Sequence, residues 1–171
     1  SETMPQFEAQ TVFNERFSSQ SLEGLPFKVI VFICAHCPYV VAIEDRLITL
    51  AQKAEKLGGR LVAICSNDPS EYEEDLPKNL AARAKQKNYP FQYLIYESQQ
   101  IAKDFGAVCT PDFFVYDQKN RLQYRGRLDD SWRDAAKVQK EELYDALVSI
   151  VKNGRLNPGT EVAPSMGCSI K

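Results

Sequence analysis

Hydrophobic positions along the chain form two kinds of run, continuous runs and runs at helical spacing. A continuous run over residues 27–33 predicts a buried strand. Apolar residues then recur every three or four positions from Val40 to Leu57, which predicts a helix over about residues 38–57 that ends at Gly58. The core is therefore predicted to begin with a strand that leads directly into a helix.

The alternation of strand and helix patterns continues to about residue 153. Ser98 and Gly106 are predicted to begin and end a short helix, as an N-cap and a helix stop. The other predicted helices cover residues 76–88 and about 139–153, and the other predicted strands cover residues 61–65, 92–96, 112–116 and 122–125. The last two strands flank a polar turn and form an antiparallel hairpin. Together these elements predict an α/β fold with a central mixed β-sheet and helices on both faces.

Both ends of the chain extend this core. Residues 12–13 are strand-like, and residues 14–16 are suited to turn a small hairpin. The C-terminal segment is rich in proline and glycine and contains no periodic pattern. At this length a single hydrophobic core is expected. We predict one domain over residues 1–171, with an N-terminal strand or hairpin extension over 1–26 and a C-terminal tail over 155–171.

Charge and composition exclude several classes of partner. The chain has 21 basic and 23 acidic residues, so neither a nucleic acid nor an anionic membrane is an expected partner. No apolar run approaches the roughly 20 residues of a membrane span, and residues 1–5 lack the order of a signal peptide. Five cysteines, an odd number, suit a reducing compartment better than a disulfide scaffold. We predict a cytoplasmic protein that is a monomer or a weak dimer.

Candidate chemistry centres on Cys34 and Cys37, which lie where the first predicted strand gives way to the first predicted helix. A Cys-x-x-Cys pair at this junction puts the first thiol at a helix N-terminus, where unpaired amides and the helix dipole lower its pKa. The second cysteine is close enough to close a disulfide over a short loop. The motif therefore predicts dithiol–disulfide exchange, with Cys34 as the nucleophile and Cys37 as the resolving thiol.

Two other interpretations of the cysteine pair were weighed. A zinc site needs four ligands, or three in a catalytic site. His36 is the only histidine, and Cys65, Cys109 and Cys168 do not form a second Cys-x-x-Cys pair. We therefore predict no metal site and no cofactor, although a non-enzymatic sensor or metal-binding module stays the alternative. A purely structural pair of buried thiols is the second alternative.

Five segments beside this pair carry a wider resemblance. They cover residues 32–40, which contain Cys-Ala-His-Cys-Pro, and residues 42–47, 106–114, 124–130 and 164–171. Together they resemble a bacterial thioredoxin-like family within the group of alkyl-hydroperoxide reductases and thiol-specific antioxidants. The resemblance implies a thioredoxin fold and a redox-active dithiol. It also implies a disulfide-containing protein substrate and a cellular thiol reductant as partners.

The resemblance also implies a substrate-binding position at Thr110 and Pro111. In thioredoxin folds the residue before a cis-proline faces the active disulfide, so the Thr110–Pro111 bond is expected to be cis. The Thr110 backbone would then be open to pair with an extended substrate near Cys34. Cis bonds are almost confined to X-Pro pairs, which is consistent with this expectation.

The chain departs from the better-known members of this group at several positions. Lys28 stands where thioredoxins carry a buried acid that accepts protons, which puts that proton relay in doubt. Val31 stands where peroxiredoxins need a threonine, so a peroxiredoxin-like antioxidant activity is the less favoured alternative. His36 matches a histidine of the oxidant DsbA. We therefore expect a potential between about −120 mV for DsbA and about −270 mV for thioredoxin, and a more reducing couple after His36→Pro or His36→Ala.

The remaining cysteines divide into two groups. Cys109 lies directly before Thr110, and Cys168 belongs to the last resembling segment, so both are candidate secondary thiols that could pass the disulfide onward. Cys65 is flanked by apolar residues and is expected to be inert core. Glu44 lies two helical turns beyond Cys37 and is expected to take part in an ion pair.

Overall fold

A computed structural model describes residues 3–67, 72–95, 98–157 and 162–170 of the protein. These residues form four α-helices and nine β-strands. The helices are α1 (Pro38–Lys56), α2 (Pro77–Gln86), α3 (Ser98–Phe105) and α4 (Glu142–Asn153). The strands are β1 (Glu8–Thr11), β2 (Arg16–Ser18), β3 (Phe27–Phe32), β4 (Arg60–Ile64), β5 (Gln92–Ile95), β6 (Cys109–Thr110), β7 (Asp112–Asp117), β8 (Leu122–Gly126) and β9 (Cys168–Ser169).

Seven of these strands form one mixed sheet in the order β2-β1-β5-β4-β3-β7-β8. Strands β3, β4 and β5 run parallel, whereas β7 is antiparallel to β3 and β1 is antiparallel to β5. Strand β3 lies between β4 and β7 and is buried along its whole length. Its C-terminal end, where the cysteine motif begins, therefore lies inside the sheet and not at an edge.

The sheet separates two hydrophobic clusters. One cluster combines Val29 and Val31 of β3 with Leu47 of α1 and Leu147 of α4. The other combines Ile30 and Phe32 of β3 with α3 and the N-terminal segment. Successive side chains of a strand point to opposite faces, which is why β3 supplies both clusters. The prediction of a mixed sheet with helices on both faces is confirmed.

The element boundaries differ from the predicted ones by a few residues. The last helix begins at Glu142, later than the predicted 139, and the helix predicted over 76–88 covers 77–86. Frayed ends and 3₁₀ turns make such boundaries the least predictable part of a helix. The predicted cap side chain of Ser98 and the predicted end of β5 at Tyr96 lie outside the described residues.

Two features of the fold were not anticipated in detail. Residues 73–75 form a 3₁₀ turn that buries Asp75, between the elements predicted over residues 61–65 and 76–88. The C-terminal tail forms strand β9, which pairs antiparallel with β6 in a second, two-stranded sheet. The hairpin predicted in the N-terminal segment forms as β1 and β2, but residues 12–13, which were predicted to be strand, lie in its turn. Among the helices of the described residues, none is both long and apolar enough to cross a membrane.

Candidate active site

The dithiol lies at the C-terminal end of β3, in the short loop that leads into α1. Cys37 is the N-cap of α1 and Pro38 is its first residue, a position that suits proline because the missing N–H has no helical partner there. The side chains of both Cys34 and Cys37 are buried, with 1% and 0% of their surface exposed. All five cysteines are thiols in this structure. The strand–helix junction therefore places the pair as predicted, but beneath the molecular surface.

Cys34 lies against the end of β6. Its Sγ is 3.3 Å from the Thr110 hydroxyl oxygen. The pKa of the Cys34 thiol is raised, first because it hydrogen-bonds to Cys37 and then because it is buried. The negative charge of Asp75 acts in the same direction. Cys34 is therefore the member of the pair that holds its proton.

The pKa of Cys37 is shifted in the opposite direction. Its pKa is lowered by the hydrogen bond from Cys34, against the effect of burial, with help from Cys168 and from the backbone N–H of Val40. The prediction that Cys34 has the lowered pKa is therefore wrong in this structure. The main physical reason is the hydrogen bond between the two thiols, which raises the pKa of Cys34 and lowers that of Cys37. The start of α1 adds a smaller effect in the same direction, because the Val40 backbone N–H faces Cys37.

A buried acid lies beside Cys34. The carboxylate of Asp75 accepts hydrogen bonds from the Ala35 backbone N–H at 2.9 Å and from Asn67 Nδ2 at 3.0 Å, and it lies 2.6 Å from His36 Nδ1. Its side chain is fully buried. We call Asp75, Asn67 and His36 the Asp75 cluster. The cluster ties the cysteine loop to the segment that follows β4.

His36 is held on two sides and does not project into solvent. Its side chain is only 10% exposed, and its ring stacks on Tyr72 with the two centroids 3.8 Å apart. Sequence reasoning singled out His36 but missed Tyr72 and the other two members of the cluster. The only sequence signal was the polar turn after β4, followed by an acidic segment.

Thr110 and Pro111 contact the dithiol from the other side. The Thr110–Pro111 peptide bond is cis, and Thr110 is buried. The Thr110 hydroxyl faces Cys34, whereas its carbonyl oxygen lies 3.4 Å from Cys37 Sγ. The structure thus brings together the two cysteines, His36 and Thr110 in one site.

The tail, residues 162–170, covers this site. In the β6–β9 pairing, Thr110 is opposite Cys168 and Cys109 is opposite Ser169. Cys168 Sγ lies 2.9 Å from Cys37 Sγ. Cys168 is therefore a third thiol in contact with the dithiol.

Cys109 lies apart from these three thiols. Neighbouring residues of a strand point to opposite faces, and Thr110 faces the dithiol, so Cys109 faces away from it. Its side chain lines a groove with Asp112 and Arg125. Burial raises its pKa to about 11. Its predicted role as a secondary thiol stays a prediction, without a close thiol partner among its described contacts.

Three residues named from the sequence lie outside the site. Lys28 Nζ donates to the carbonyl of Asp117 at 3.2 Å and to Asn120 Oδ1 at 2.6 Å, at the β7–β8 turn, so it serves the hairpin. Cys65 is buried, which raises its pKa to about 12. Glu44 accepts hydrogen bonds from Arg83 and Tyr89, as the predicted ion pair requires.

A cavity of about 350 Å³ opens beside Pro111. Trp132 and Met166 line it, so one wall belongs to the loop after β8 and another to the tail. The ring of Trp132 lies 4.2 Å from that of Tyr39, in the first turn of α1. The cavity therefore opens next to the Thr110–Pro111 bond.

A group of three side chains could share a metal ion. The ligand atoms of Cys34, His36 and Asp75 all lie within 4.8 Å of one another. Sequence reasoning counted only cysteine and histidine ligands and did not include the carboxylate. A thiolate, an imidazole and a carboxylate together form a set that suits zinc.

Comparisons with known proteins agree on fold and family. A family model described as AhpC/TSA family matches residues 1–125. An uncharacterized conserved protein from Geobacillus kaustophilus is 38% identical, with a TM-score of 0.91 over 99% of this chain and 89% of that one. A hypothetical protein from Sinorhizobium meliloti is 35% identical, with a TM-score of 0.91 over 99% of this chain and 92% of that one. The comparison with curated proteins gave no match.

A more distant structure shows which fold this is. A thiol:disulfide interchange protein of the thioredoxin family from Chlorobium tepidum is 18% identical, with a TM-score of 0.65 over 87% of this chain and 94% of that one. The protein therefore has the thioredoxin fold, which confirms the prediction.

Proposed function

The chain belongs to the AhpC/TSA family, and we propose that it is a thiol–disulfide oxidoreductase that uses Cys34 and Cys37 to reduce or exchange disulfides in protein partners. The observation that carries the proposal is the pairing of the two thiols with Thr110, whose hydroxyl lies 3.3 Å from Cys34 and whose carbonyl lies 3.4 Å from Cys37. A cellular thiol would be the reductant, in a reducing compartment such as the cytoplasm.

The first chemical step uses the single proton that the two cysteines share. As Cys34 approaches the substrate disulfide, its proton passes along the hydrogen bond to Cys37. The Cys34 thiolate then attacks one substrate sulfur, the substrate S–S bond breaks, and the departing thiolate takes a proton from Cys37. This step leaves a mixed disulfide between Cys34 and the substrate and restores the Cys37 thiolate.

The second step releases the substrate. The Cys37 thiolate attacks Cys34 Sγ, the mixed disulfide breaks, and the second substrate thiolate takes a proton from solvent. Two electrons have passed to the substrate, and Cys34 and Cys37 form a disulfide that the reductant must reopen. In the mixed disulfide Cys34 has no proton to donate, so the hydrogen bonds from Cys168 and from the Val40 backbone N–H are the groups that favour the Cys37 thiolate in this step.

The Asp75 cluster is the positioning element in this mechanism. Asp75 holds the Ala35 backbone N–H and the His36 ring, the two residues between the cysteines. It thereby fixes the loop that carries the nucleophile. Thioredoxins carry a buried acid where this chain has Lys28. The Asp75 carboxylate is a buried acid beside the dithiol, although it belongs to a different segment of the chain.

Turnover of a generic protein disulfide tests the proposal. Insulin reduction with glutathione as reductant should be supported by the wild-type protein and lost in both Cys34→Ser and Cys37→Ser. Cys65→Ala, at a buried thiol that lies outside the site, is the matched control. A glutathione titration should give a potential between the about −120 mV and −270 mV of DsbA and thioredoxin. Full turnover in either active-site variant would contradict the proposal.

One observation favours a second candidate, a metal-binding module, because Cys34, His36 and Asp75 converge within 4.8 Å. Zinc added to the reduced protein would then be retained through gel filtration at one equivalent. Asp75→Asn would release it, and Asp45→Asn, at an exposed acid of α1, would not. Loss of zinc from the wild-type protein during filtration would exclude this candidate.

A further inference from the structure

The tail is bound to the body of the protein at several separate points. The Ile170 backbone N–H donates to the Val108 carbonyl at 3.0 Å, beyond the β6–β9 pairing. Ahead of that pairing, the Ser165 hydroxyl donates to the Gly126 carbonyl at 2.5 Å, and the Arg127 N–H donates to the Ala163 carbonyl at 3.0 Å. The described part of the tail, residues 162–170, is therefore docked at both of its ends.

Gly167 lets the tail approach the site this closely. A Cβ atom added to Gly167 would lie 1.9 Å from the carbonyl oxygen of Thr110, a separation that no side chain permits. The obstacle is backbone, next to the cis-proline, and cannot rotate away. Only glycine is compatible with this docked position.

The docked tail occupies the backbone edge that an extended substrate would use. Strand β9 pairs with β6 through Thr110, and it delivers a cysteine, Cys168, to the dithiol. Its sulfur lies 2.9 Å from Cys37 Sγ, against about 2.05 Å in a disulfide. Cys168 is half-buried, so it is nearer the surface than either Cys34 or Cys37.

We propose that Cys168 is a third redox thiol, and that the tail is an internal substrate of the dithiol. This inference rests on the proposed function, because it begins with the Cys34–Cys37 disulfide. Cys37 is then shared between two alternative disulfides, one with Cys34 and one with Cys168. The tail takes the place of a bound substrate between turnovers.

The transfer balances in atoms and electrons. The Cys168 thiolate, after losing its proton to solvent, attacks Cys37 Sγ in the Cys34–Cys37 disulfide. The Cys34–Cys37 bond breaks, a Cys37–Cys168 bond forms, and Cys34 leaves as a thiolate that takes a proton back. No electrons enter or leave the protein in this step. A thiol reductant of the class named above later reopens the Cys37–Cys168 disulfide, nearer the surface.

Disulfide mapping after limited oxidation tests the third thiol. The reduced protein is treated with one equivalent of diamide, a two-electron thiol oxidant, alkylated and digested, and its monomeric fraction is analysed by mass spectrometry. In Cys34→Ser we expect a Cys37–Cys168 disulfide. In Cys168→Ser we expect Cys34–Cys37 alone, and Cys65→Ala, at a buried thiol outside the site, should give the same products as the wild-type protein.

A tail variant tests whether docking, and not chance proximity, directs the disulfide. In the Cys34→Ser background, Gly167→Ala should lower the yield of Cys37–Cys168 by about tenfold, which corresponds to about 1.4 kcal/mol and lies within the usual cost of overpacking. Ser169→Ala, at the exposed residue that follows Cys168, is the matched control and should keep the yield.

The outcomes separate the two proposals. If Cys34→Ser leaves Cys37 and Cys168 both alkylated while the wild-type protein forms Cys34–Cys37, the third thiol is disproved and the oxidoreductase proposal stands. If Cys37–Cys168 is found only between chains, the internal substrate is disproved. If neither the wild-type protein nor Cys168→Ser forms Cys34–Cys37, the oxidoreductase proposal fails, and the transfer to Cys168 fails with it.

Discussion

The two thiols of the dithiol are surrounded by different kinds of group. On the Cys34 side, a fully buried carboxylate, an amide and a stacked imidazole hold the loop through side-chain hydrogen bonds. On the Cys37 side, the start of α1 and a docked tail surround the sulfur with backbone groups and a third thiol. The negative charge lies near one thiol and the helix amides lie near the other.

This difference acts in the same direction as the hydrogen bond between the two thiols. That hydrogen bond is the largest cause of the raised pKa of Cys34 and of the lowered pKa of Cys37. A negative charge next to a buried thiol disfavours a second negative charge, whereas unpaired amides favour it, so the two surroundings add to the effect. Two cysteines three positions apart in the chain are therefore chemically unequal before any substrate arrives.

Removal of the charge on the Cys34 side should have the largest effect. Asp75→Asn keeps the shape of the side chain but weakens its hold on Ala35 and His36, and displacement of the nucleophile by about 1 Å can cost about 100-fold in rate. Insulin turnover should fall by up to this factor. The pKa of Cys34 should fall too, because a charge that raises it has been removed.

The pH profile separates a positioning role of Asp75 from a merely structural one. In Asp75→Asn the residual activity should shift toward lower pH with the pKa of Cys34. Asp45→Asn, at an exposed acid on α1 that pairs with Lys87, is the control and should change neither rate nor profile. An unchanged profile in Asp75→Asn would remove the carboxylate from the mechanism.

Loosening of the Cys37 side should have the next largest effect. Gly167→Ala lifts the tail from the Thr110 carbonyl and uncovers Cys37, whose side chain is otherwise 0% exposed. The alkylation rate of Cys37 by iodoacetamide should rise by about tenfold, in line with the cost of the steric overlap. Ser169→Ala serves as the control. Equal rates in the two variants would show that the tail does not protect the thiol.

A smaller shift should follow from loss of the third thiol itself. In the wild-type protein, thiolate absorbance in the ultraviolet should show one thiolate that persists below the ordinary cysteine pKa of about 8.5. Cys168→Ala removes one of the hydrogen bonds that lower the pKa of Cys37, so the midpoint should move to higher pH. A midpoint that stays in place would show that the helix start and Cys34 alone set the pKa.

The smallest effect on the dithiol is expected from Glu44, two turns along α1. Hydrogen bonds from Arg83 and Tyr89 outweigh burial and lower its pKa, so its stabilising contribution is present above about pH 4.3 and is lost as the pH falls through the folded-state pKa. Glu44→Gln should lower the free energy of unfolding at neutral pH by about 1–3 kcal/mol. Thermal denaturation measures this loss, and the glutathione titration should show an unchanged potential.

The sequence predicted the strand and the helix that carry the site because both follow hydrophobic patterns along the chain. The continuous run that forms β3 and the helical spacing of α1 place the cysteine motif at the strand–helix junction. The start of α1 at Pro38 matches the prediction, so the error in pKa has another source. The hydrogen bond between the two thiols is the largest cause of both pKa shifts, and hydrophobic spacing does not encode it.

The rest of the site depends on contacts between distant segments. Asp75 lies about 40 residues beyond His36, in a 3₁₀ turn that no hydrophobic pattern predicts. Its contact with His36 is visible only in the folded chain. Strand β9 has two residues, too few for an alternating pattern. The requirement for glycine at residue 167 is set by a carbonyl of another segment, so it has no local signal either.

The single tryptophan of the chain lies between the first turn of α1 and the tail. Trp132 packs on Tyr39 of the first turn of α1, and it shares a cavity with Met166 of the tail. Departure of the tail would open one wall of that cavity to water, and a rearranged first turn would alter the aromatic contact. Intrinsic fluorescence therefore offers a label-free optical signal in which tail release and a change at the dithiol can be followed in real time.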